Sequence, residues 1–339
     1  GNDYDIASTA VEAVYKNKEN INSLFLGDLY KKRNRHSRQK AIAKYVAAFP
    51  NNPPEVSGNP YLLETAIDWL VENTPVQPRP YLSYFHFLPP HAPYDHTRAE
   101  FQDTFYGRMD EYLRKPEHIF SQGQVGDAMS RDRNDYDNYI LYVDAEFDRL
   151  ISELEDTGAL ENTWVILTSD HGELFERGII GHSTPAMFAP LLHVPLFIFG
   201  PGVNQREDIT TNTSSLDLLP TILQLAGKPV PDWVEGEVLP WFRTAASDPD
   251  RSIYGVNAKH NDKFKPLTHV SISMLKANYR LSAYLGYPEL NGETRYELYD
   301  LENDPYEMED IFASKKEVAG KMVAELNAKL EEVDRPYGD

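Results

Sequence analysis

Trp164-Val165-Ile166-Leu167-Thr168 is a near-continuous apolar run that ends in the polar turn Ser169-Asp170-His171-Gly172-Glu173. Such a run without alternation suits a strand buried on both faces of a parallel sheet. Open α/β sheets place their ligands just outside the carboxyl ends of such strands, where this turn falls. Upstream, Ile140, Val143, Phe147, Leu150 and Leu154 recur every three or four residues from Asp135 onward. That spacing predicts a helix, with Gly158 as its left-handed C-terminal cap. Downstream, Leu196 to Phe199 predicts a second buried strand, and Asp217 is expected to cap a helix through Ala226 that Gly227 closes. Pro220 falls in its first turn, where an N–H has no intrahelical acceptor anyway.

Toward the N-terminus, Tyr81-Leu82-Ser83-Tyr84-Phe85 predicts a strand, and 95–133 reads as an irregular surface excursion. Asn59-Pro60 opens a helix that carries Leu63, Ala66, Ile67 and Leu70 on one face. Residues 1 to about 50 read as polar and helical. Helix and strand alternate, so residues 1–245 are expected to form an α/β domain, a mostly parallel sheet sandwiched by helices. After about residue 245 the pattern switches. Segments 251–256, 269–275, 278–285 and 294–299 predict strands joined by short turns, hence an antiparallel sheet. Ser314-Lys315-Lys316-Glu317 reads as a capping box for a helix striped by Val318, Met322, Leu326 and Leu330. Residues 246–339 are therefore expected to be a small antiparallel α+β subdomain.

Composition narrows the function. The 339 residues carry 33 Lys plus Arg against 53 Asp plus Glu, a net charge of −20. So acidic a surface repels phosphate backbones, so neither nucleic acid nor an anionic membrane is an expected partner. No apolar stretch approaches the length of a membrane span. The absence of cysteine excludes disulfides, thiolate metal sites and a Cys nucleophile within the chain. The chain opens on Gly1 rather than Met, and its true start is expected to lie upstream. The basic run at 31–40 reads as a solvated helix face, and the 21 Tyr and 15 Phe as core and interface.

Asp170-His171 is the strongest candidate site. A carboxylate oxygen and an imidazole nitrogen from adjacent residues can bind one divalent cation if the turn bends sharply, and Gly172 allows that bend. The same pair also suits an Asp that caps the next turn beside a packed histidine.

Five stretches decide between these readings. They are YDNYILYVDAEFDRLISELEDTGALENTWVILTSDHGE at 136–173, HFLPPHAPY at 86–94, GHSTPAMFAPLLHVPLFIFGPG at 181–202, SLDLLPTILQLAG at 215–227 and YELYDLENDPYE at 296–307. Together, in their order along the chain, they resemble the sulfatase branch of the alkaline-phosphatase superfamily over about residues 75–335. The resemblance implies an alkaline-phosphatase-like fold and a catalytic divalent metal ion (Ca, Mn, Zn or Mg), with Asp170 and His171 as two of its ligands. It implies that His91 contacts the transferred sulfuryl or phosphoryl group, and that His182 lies near the leaving oxygen. An imidazolium there can stabilise equatorial oxygens or protonate the departing alkoxide. Glu173 is expected to orient the metal loop as an acceptor behind it. His86 and His193 match no catalytic position and read as structural.

The family's paired aspartates and its nucleophile motif, C/S-x-P-S-R in sulfatases, have no match here. The resemblance therefore implies that a segment of on the order of 100 residues, holding the first strands of the sheet, precedes this chain. The expected function is a sulfatase-like hydrolase acting on a small-molecule or carbohydrate sulfate or phosphate ester, this chain alone being inactive. A phosphodiesterase, phosphonate monoester hydrolase or phosphoglycerol-type transferase of the same superfamily, and a non-catalytic binding module, remain as alternatives.

Overall fold

The computed structural model describes residues 63–75, 79–94, 101, 115–123, 127–243, 248, 250–258, 261–262 and 265–337. The N-terminal helical reading, the Asn59-Pro60 cap and the basic run at 31–40 lie outside them. The chain divides into two compact units, one ending at Phe87 and resuming over Asp144–Thr157, the other comprising Leu88–Val143 and Gly158–Asp339.

In the first unit, helix α1 (Leu63–Asn73) buries Leu63 and Ile67, as its apolar spacing predicts. Arg149 of helix α2 (Asp127–Asp156) ties to it, with Nη1 2.8 Å from Asp68 Oδ1 and Nη2 donating to the Glu64 carbonyl at 3.2 Å. Residues 81–85 run without a ladder partner, and Leu82 and Tyr84 are exposed, so the strand expected there does not form. Apolar character alone does not make a strand when no neighbour accepts its backbone hydrogen bonds.

The helix expected from Asp135 starts eight residues earlier, at Asp127. Its buried stripe is more polar than the sequence suggests: Asn138, Tyr139, Tyr142 and Glu146 are buried with Leu150 and Leu154, while Ile140 is 39% exposed. Gly158 does adopt the left-handed conformation, at φ 71°.

Strand β1 (Val165–Thr168) pairs antiparallel with the later strand Leu196–Phe199, Val165 opposite Phe199 and Thr168 opposite Leu196. Between them lie a hairpin of β2 (Leu174–Glu176) and β3 (Ile179–Gly181) and a one-turn helix α3 (Ala189–Leu192); β4 is Leu196–Phe199. Every described strand pair is antiparallel, so the mostly parallel sheet is not found among the described residues. The cause lies in the connection. Parallel neighbours need a helical crossover between them, and the hairpin and single helical turn of 169–195 do not supply one. Nor are these strands buried on both faces: β1 is half-buried and Phe197 is 54% exposed.

Ser214 caps the 3-10 turn at 215–217, with Asp217 as the far member of that capping box. Helix α4 (Leu218–Leu225) follows, and the Asp217 side chain does not cap it as expected but is turned to Arg251.

Strands β5 (Ile253–Asn257), β6 (Val270–Lys276), β7 (Tyr279–Leu285) and β8 (Arg295–Asp300) form an antiparallel meander. Side chains alternate across a sheet, so each strand presents two faces. One face, with Val270, Ile272, Met274, Leu281 and Leu298, packs on Ala319, Met322 and Leu326 of helix α5 (Lys316–Asp334). The other sends Tyr284 and Tyr299 into a second core with Leu174, Ile179, Met187, Phe188 and Leu191. Each of the buried Val, Leu, Ile, Phe and Met side chains contributes about 1.5–3 kcal/mol by burial. The hairpin and α3 are thus fixed against the sheet's second face. The capping box expected at Ser314 is not made. Ser314 and Lys315 both donate their amides to the Ile311 carbonyl in a tight turn, and α5 starts at Lys316 without a side-chain cap.

Candidate active site

The polar turn after β1 is held from below. The Gly172 amide donates to the Leu191 carbonyl at 2.8 Å and the Glu173 amide to the Pro190 carbonyl at 3.1 Å. A Cβ on Gly172 would lie 2.0 Å from the Pro190 oxygen. Glycine is therefore required by this close approach of two backbones, rather than by the sharp bend expected of it.

On this platform the His171 ring packs tilted against His182, centroids 4.1 Å apart, and His91 packs against His182 at 5.3 Å. Asp170 is exposed beside them, its Oδ2 3.8 Å from His171 Nε2 and its Oδ1 accepting the His171 amide at 3.0 Å. Each ring is tethered through Nδ1. His171 Nδ1 lies 2.8 Å from the Gly172 carbonyl, His91 Nδ1 2.6 Å from the Ala92 carbonyl, and His182 Nδ1 3.1 Å from Glu173 Oε1. Carbonyl and carboxylate oxygens only accept, so Nδ1 carries the proton in all three and Nε2 is the atom left for chemistry.

Glu173, the acceptor expected behind the Asp170–His171 turn, has a side chain 4% exposed that accepts from His182 Nδ1. The Tyr94 hydroxyl donates to the same carboxylate, and the Tyr94 ring packs against Tyr136 at 5.5 Å and Phe175 at 5.8 Å. Burial first, and then the Glu173 charge, push both tyrosine hydroxyls above their usual pKa, Tyr94 the further, so both stay protonated.

Hairpin geometry explains why Glu173 meets His182. Leu174 pairs with Gly181, so the residues just outside that pair face each other at the open end. At the closed end the two-residue turn Arg177-Gly178 has φ of 58° and 78°, the sign of a type I′ turn. Arg177 holds that backbone at a cost of about 1–2 kcal/mol.

A model of the Sulfatase family matches residues 14–228, well over half of the chain. The chain belongs to the sulfatase family. The match reaches further toward the N-terminus than the motifs from residue 75 onward. A second model, N-sulphoglucosamine sulphohydrolase, C-terminal, matches residues 183–335. Arylsulfatase K of Xenopus laevis is 31% identical over 190 residues, covering 55% of this chain and 34% of its own length. The uncharacterized sulfatase YidJ of Escherichia coli is 27% identical over 288 residues, 80% of this chain and 55% of that protein. The chain thus spans between about a third and just over half of these relatives. A crystal structure of a Bacteroides fragilis protein described as the sulfatase yidJ superposes with a TM-score of 0.65 at 20% identity, over 79% of this chain and 57% of that one, which shows a shared sulfatase fold.

On that sulfatase fold the structure brings His91, Asp170, His171 and His182 together. His193 instead caps α3 at an exposed position, its amide donating to Ala189, and His86 packs edge-on near Tyr84. Sequence reading did not single out Tyr94, Tyr136, Arg177 or Glu307. Tyr94 and Glu307 end two of the quoted motifs, whereas Arg177 falls in the gap between two of them.

Proposed function

We propose that the chain supplies the metal-binding and leaving-group part of a sulfatase site that cleaves sulfate esters of carbohydrates by metal-assisted in-line displacement. The observation that carries this reading is the packing of three Nδ1-tethered imidazoles beside Asp170 at the end of β1. Two ligands each about 2.1 Å from one ion stand at most about 4.2 Å apart. The 3.8 Å between Asp170 Oδ2 and His171 Nε2 meets that limit. Among the described residues no group of three or more His, Cys, Asp or Glu could hold an ion, so this pair fits half of a coordination shell. A divalent cation (Ca, Mn, Zn or Mg) there would supply Lewis-acid polarisation and orientation of the sulfuryl group.

His182 keeps its proton on Nδ1 against Glu173 and turns Nε2 to the departing alkoxide, to hold or deliver a proton. His91 hydrogen-bonds a sulfuryl oxygen through Nε2–H when protonated. No C/S-x-P-S-R motif occurs in the chain, and the nucleophile is read as coming from outside it. The match of 183–335 to the sulphoglucosamine hydrolase model supports a sulfated sugar as substrate. The net charge of −20 supports the absence of a nucleic-acid partner. We keep the division at residues 245 and 246 as part of the proposal, supported by the packing of α5 on the β5–β8 sheet.

The test assays the protein that carries this chain against a 4-nitrophenyl sulfate, a bis-aryl phosphate and an aryl phosphonate. Sulfate should be hydrolysed fastest, and His182→Ala should slow it by about 10²–10⁴-fold. Preference for a phosphate diester or phosphonate would overturn the sulfatase assignment. Binding without turnover of any ester would favour a non-catalytic module.

A further inference from the structure

The far end of the hairpin carries a second set of buried groups that the proposed chemistry does not use. Arg177 is 4% exposed, although it sits in a hairpin turn, where solvent exposure is the rule. Its guanidinium lies 4.1 Å over the Phe188 ring, and Nη2 donates to the Glu307 carbonyl. Its own carbonyl accepts the His118 amide at 3.1 Å. Glu176 beside it pairs with Lys115 at 2.7 Å, both side chains buried. Glu307 is fully buried; one carboxylate oxygen lies 2.7 Å from Arg280 Nε and the other accepts the Ala189 amide at 2.8 Å.

These contacts close a ring. Ala189 begins α3, and the Pro190 and Leu191 carbonyls hold the amides of Glu173 and Gly172. Glu173 in turn leads into the hairpin whose turn is Arg177. The loop bearing Asp170 and His171, the hairpin joining Glu173 to His182, and α3 are thus clamped to one another through Arg177 and Glu307. A side chain in a strained left-handed turn with every polar contact directed inward points to a role beyond the turn itself.

We infer that Arg177 and Glu307 are positioning residues that set the register of the His182–Glu173 pair against the Asp170–His171 loop. The inference rests on the sulfatase reading of His182, though its structural arm can be tested without activity. Misplacing a reacting group by about 1 Å costs on the order of 10²-fold in rate. In the protein that carries this chain, Arg177→Met keeps an apolar stem over Phe188 but removes the donors. It should lower kcat 10–100-fold with KM within about two-fold. Long-range 1H–15N correlation spectra, with the His182 signal identified by its loss in His182→Ala, should show the fixed Nδ1–H tautomer of wild type giving way to exchange between tautomers. Arg177→Lys should restore part of both.

Should Arg177→Met fail to fold, Glu307→Met serves instead, since it removes the acceptor for the Ala189 amide and keeps a stem of similar length. It should show the same split in smaller measure. Unchanged kcat per folded molecule together with an unchanged His182 spectrum in a folded variant would overturn the inference. If His182→Ala itself leaves turnover unaltered, the sulfatase reading of His182 fails, and the tautomer spectrum alone decides the positioning claim.

Discussion

Asp217 and Arg251, 34 residues apart, meet as a two-pronged ion pair, Nη2 to Oδ1 at 2.6 Å and Nη1 to Oδ2 at 2.9 Å. The carboxylate is fully buried and also accepts the amides of Ser214 and Glu237. Removing one partner of such a pair leaves a charge without its counterion, at about 3–5 kcal/mol. Arg251→Met should therefore destabilise the protein toward the lower end of that range, because two amides still serve Asp217. A urea titration reads this directly. A loss under about 1 kcal/mol would show the pair to be no stronger than an exposed one.

Acid should act through the same carboxylate. Burial is the largest influence on Asp217 and works upward, but the hydrogen bonds from Arg251, Ser214 and Glu237 outweigh it and hold its pKa below the usual value. Glu297 behaves alike: burial pushes it up, while His118 and Arg295 pull it down further. A carboxyl lowered by folding adds stability that is fully present above its unfolded pKa, about 3.9 for Asp and 4.3 for Glu. That stability is lost as pH falls through the folded value. Burial raises Glu307 instead, so its contribution declines as pH rises above about 4.3 and blunts the profile. The urea midpoint should fall steeply below about pH 4, and Asp217→Asn should flatten that fall. An unaltered acid limb in the variant would assign it to other groups.

Metal binding gives a direct test of the Asp170–His171 pair. Equilibrium dialysis followed by metal analysis should show His171→Ala and Asp170→Asn at least 10–100-fold weaker than wild type, since even partners behind the ligands matter that much. His193→Ala, at the exposed end of α3, should bind as wild type does. Equal affinity in His171→Ala would remove His171 from the ligand set.

The candidate site residues were legible because their motifs are local: Asp170 and His171 lie in one turn, and His91 sits among prolines in another. Strands β5–β8 were legible to within about two residues, because period-two patterning and short turns leave little choice of partner. The direction of β1 against β4 was not, since an apolar run reads the same in either orientation and only the connection decides. The β2–β3 hairpin escaped because its turn is Arg-Gly, outside the Asn-Gly and Asp-Gly pairs that signal such turns. Glu173 could be flagged as an acceptor, but its true partner depends on a hairpin register that no local pattern carries.

The platform beneath the site can be probed with the smallest possible change. Gly172→Ala places a methyl 2.0 Å from the Pro190 oxygen and 3.1 Å from its carbonyl carbon, both backbone atoms. No rotamer relieves that contact, so either the loop or α3 must move. Forcing one methyl into a packed site costs about 1–3 kcal/mol. The movement should break the 2.8 Å Gly172–Leu191 and 3.1 Å Glu173–Pro190 hydrogen bonds and carry Asp170 and His171 with it. Gly320→Ala is the control: it lies within α5 with nothing near the added methyl, and alanine in a helix gains up to about 1 kcal/mol. Thermal melts should therefore shift in opposite directions for the two variants, and only Gly172→Ala should weaken metal binding. A Gly172→Ala protein that melts and binds metal like wild type would show that the Pro190 contact does not set the geometry of the loop.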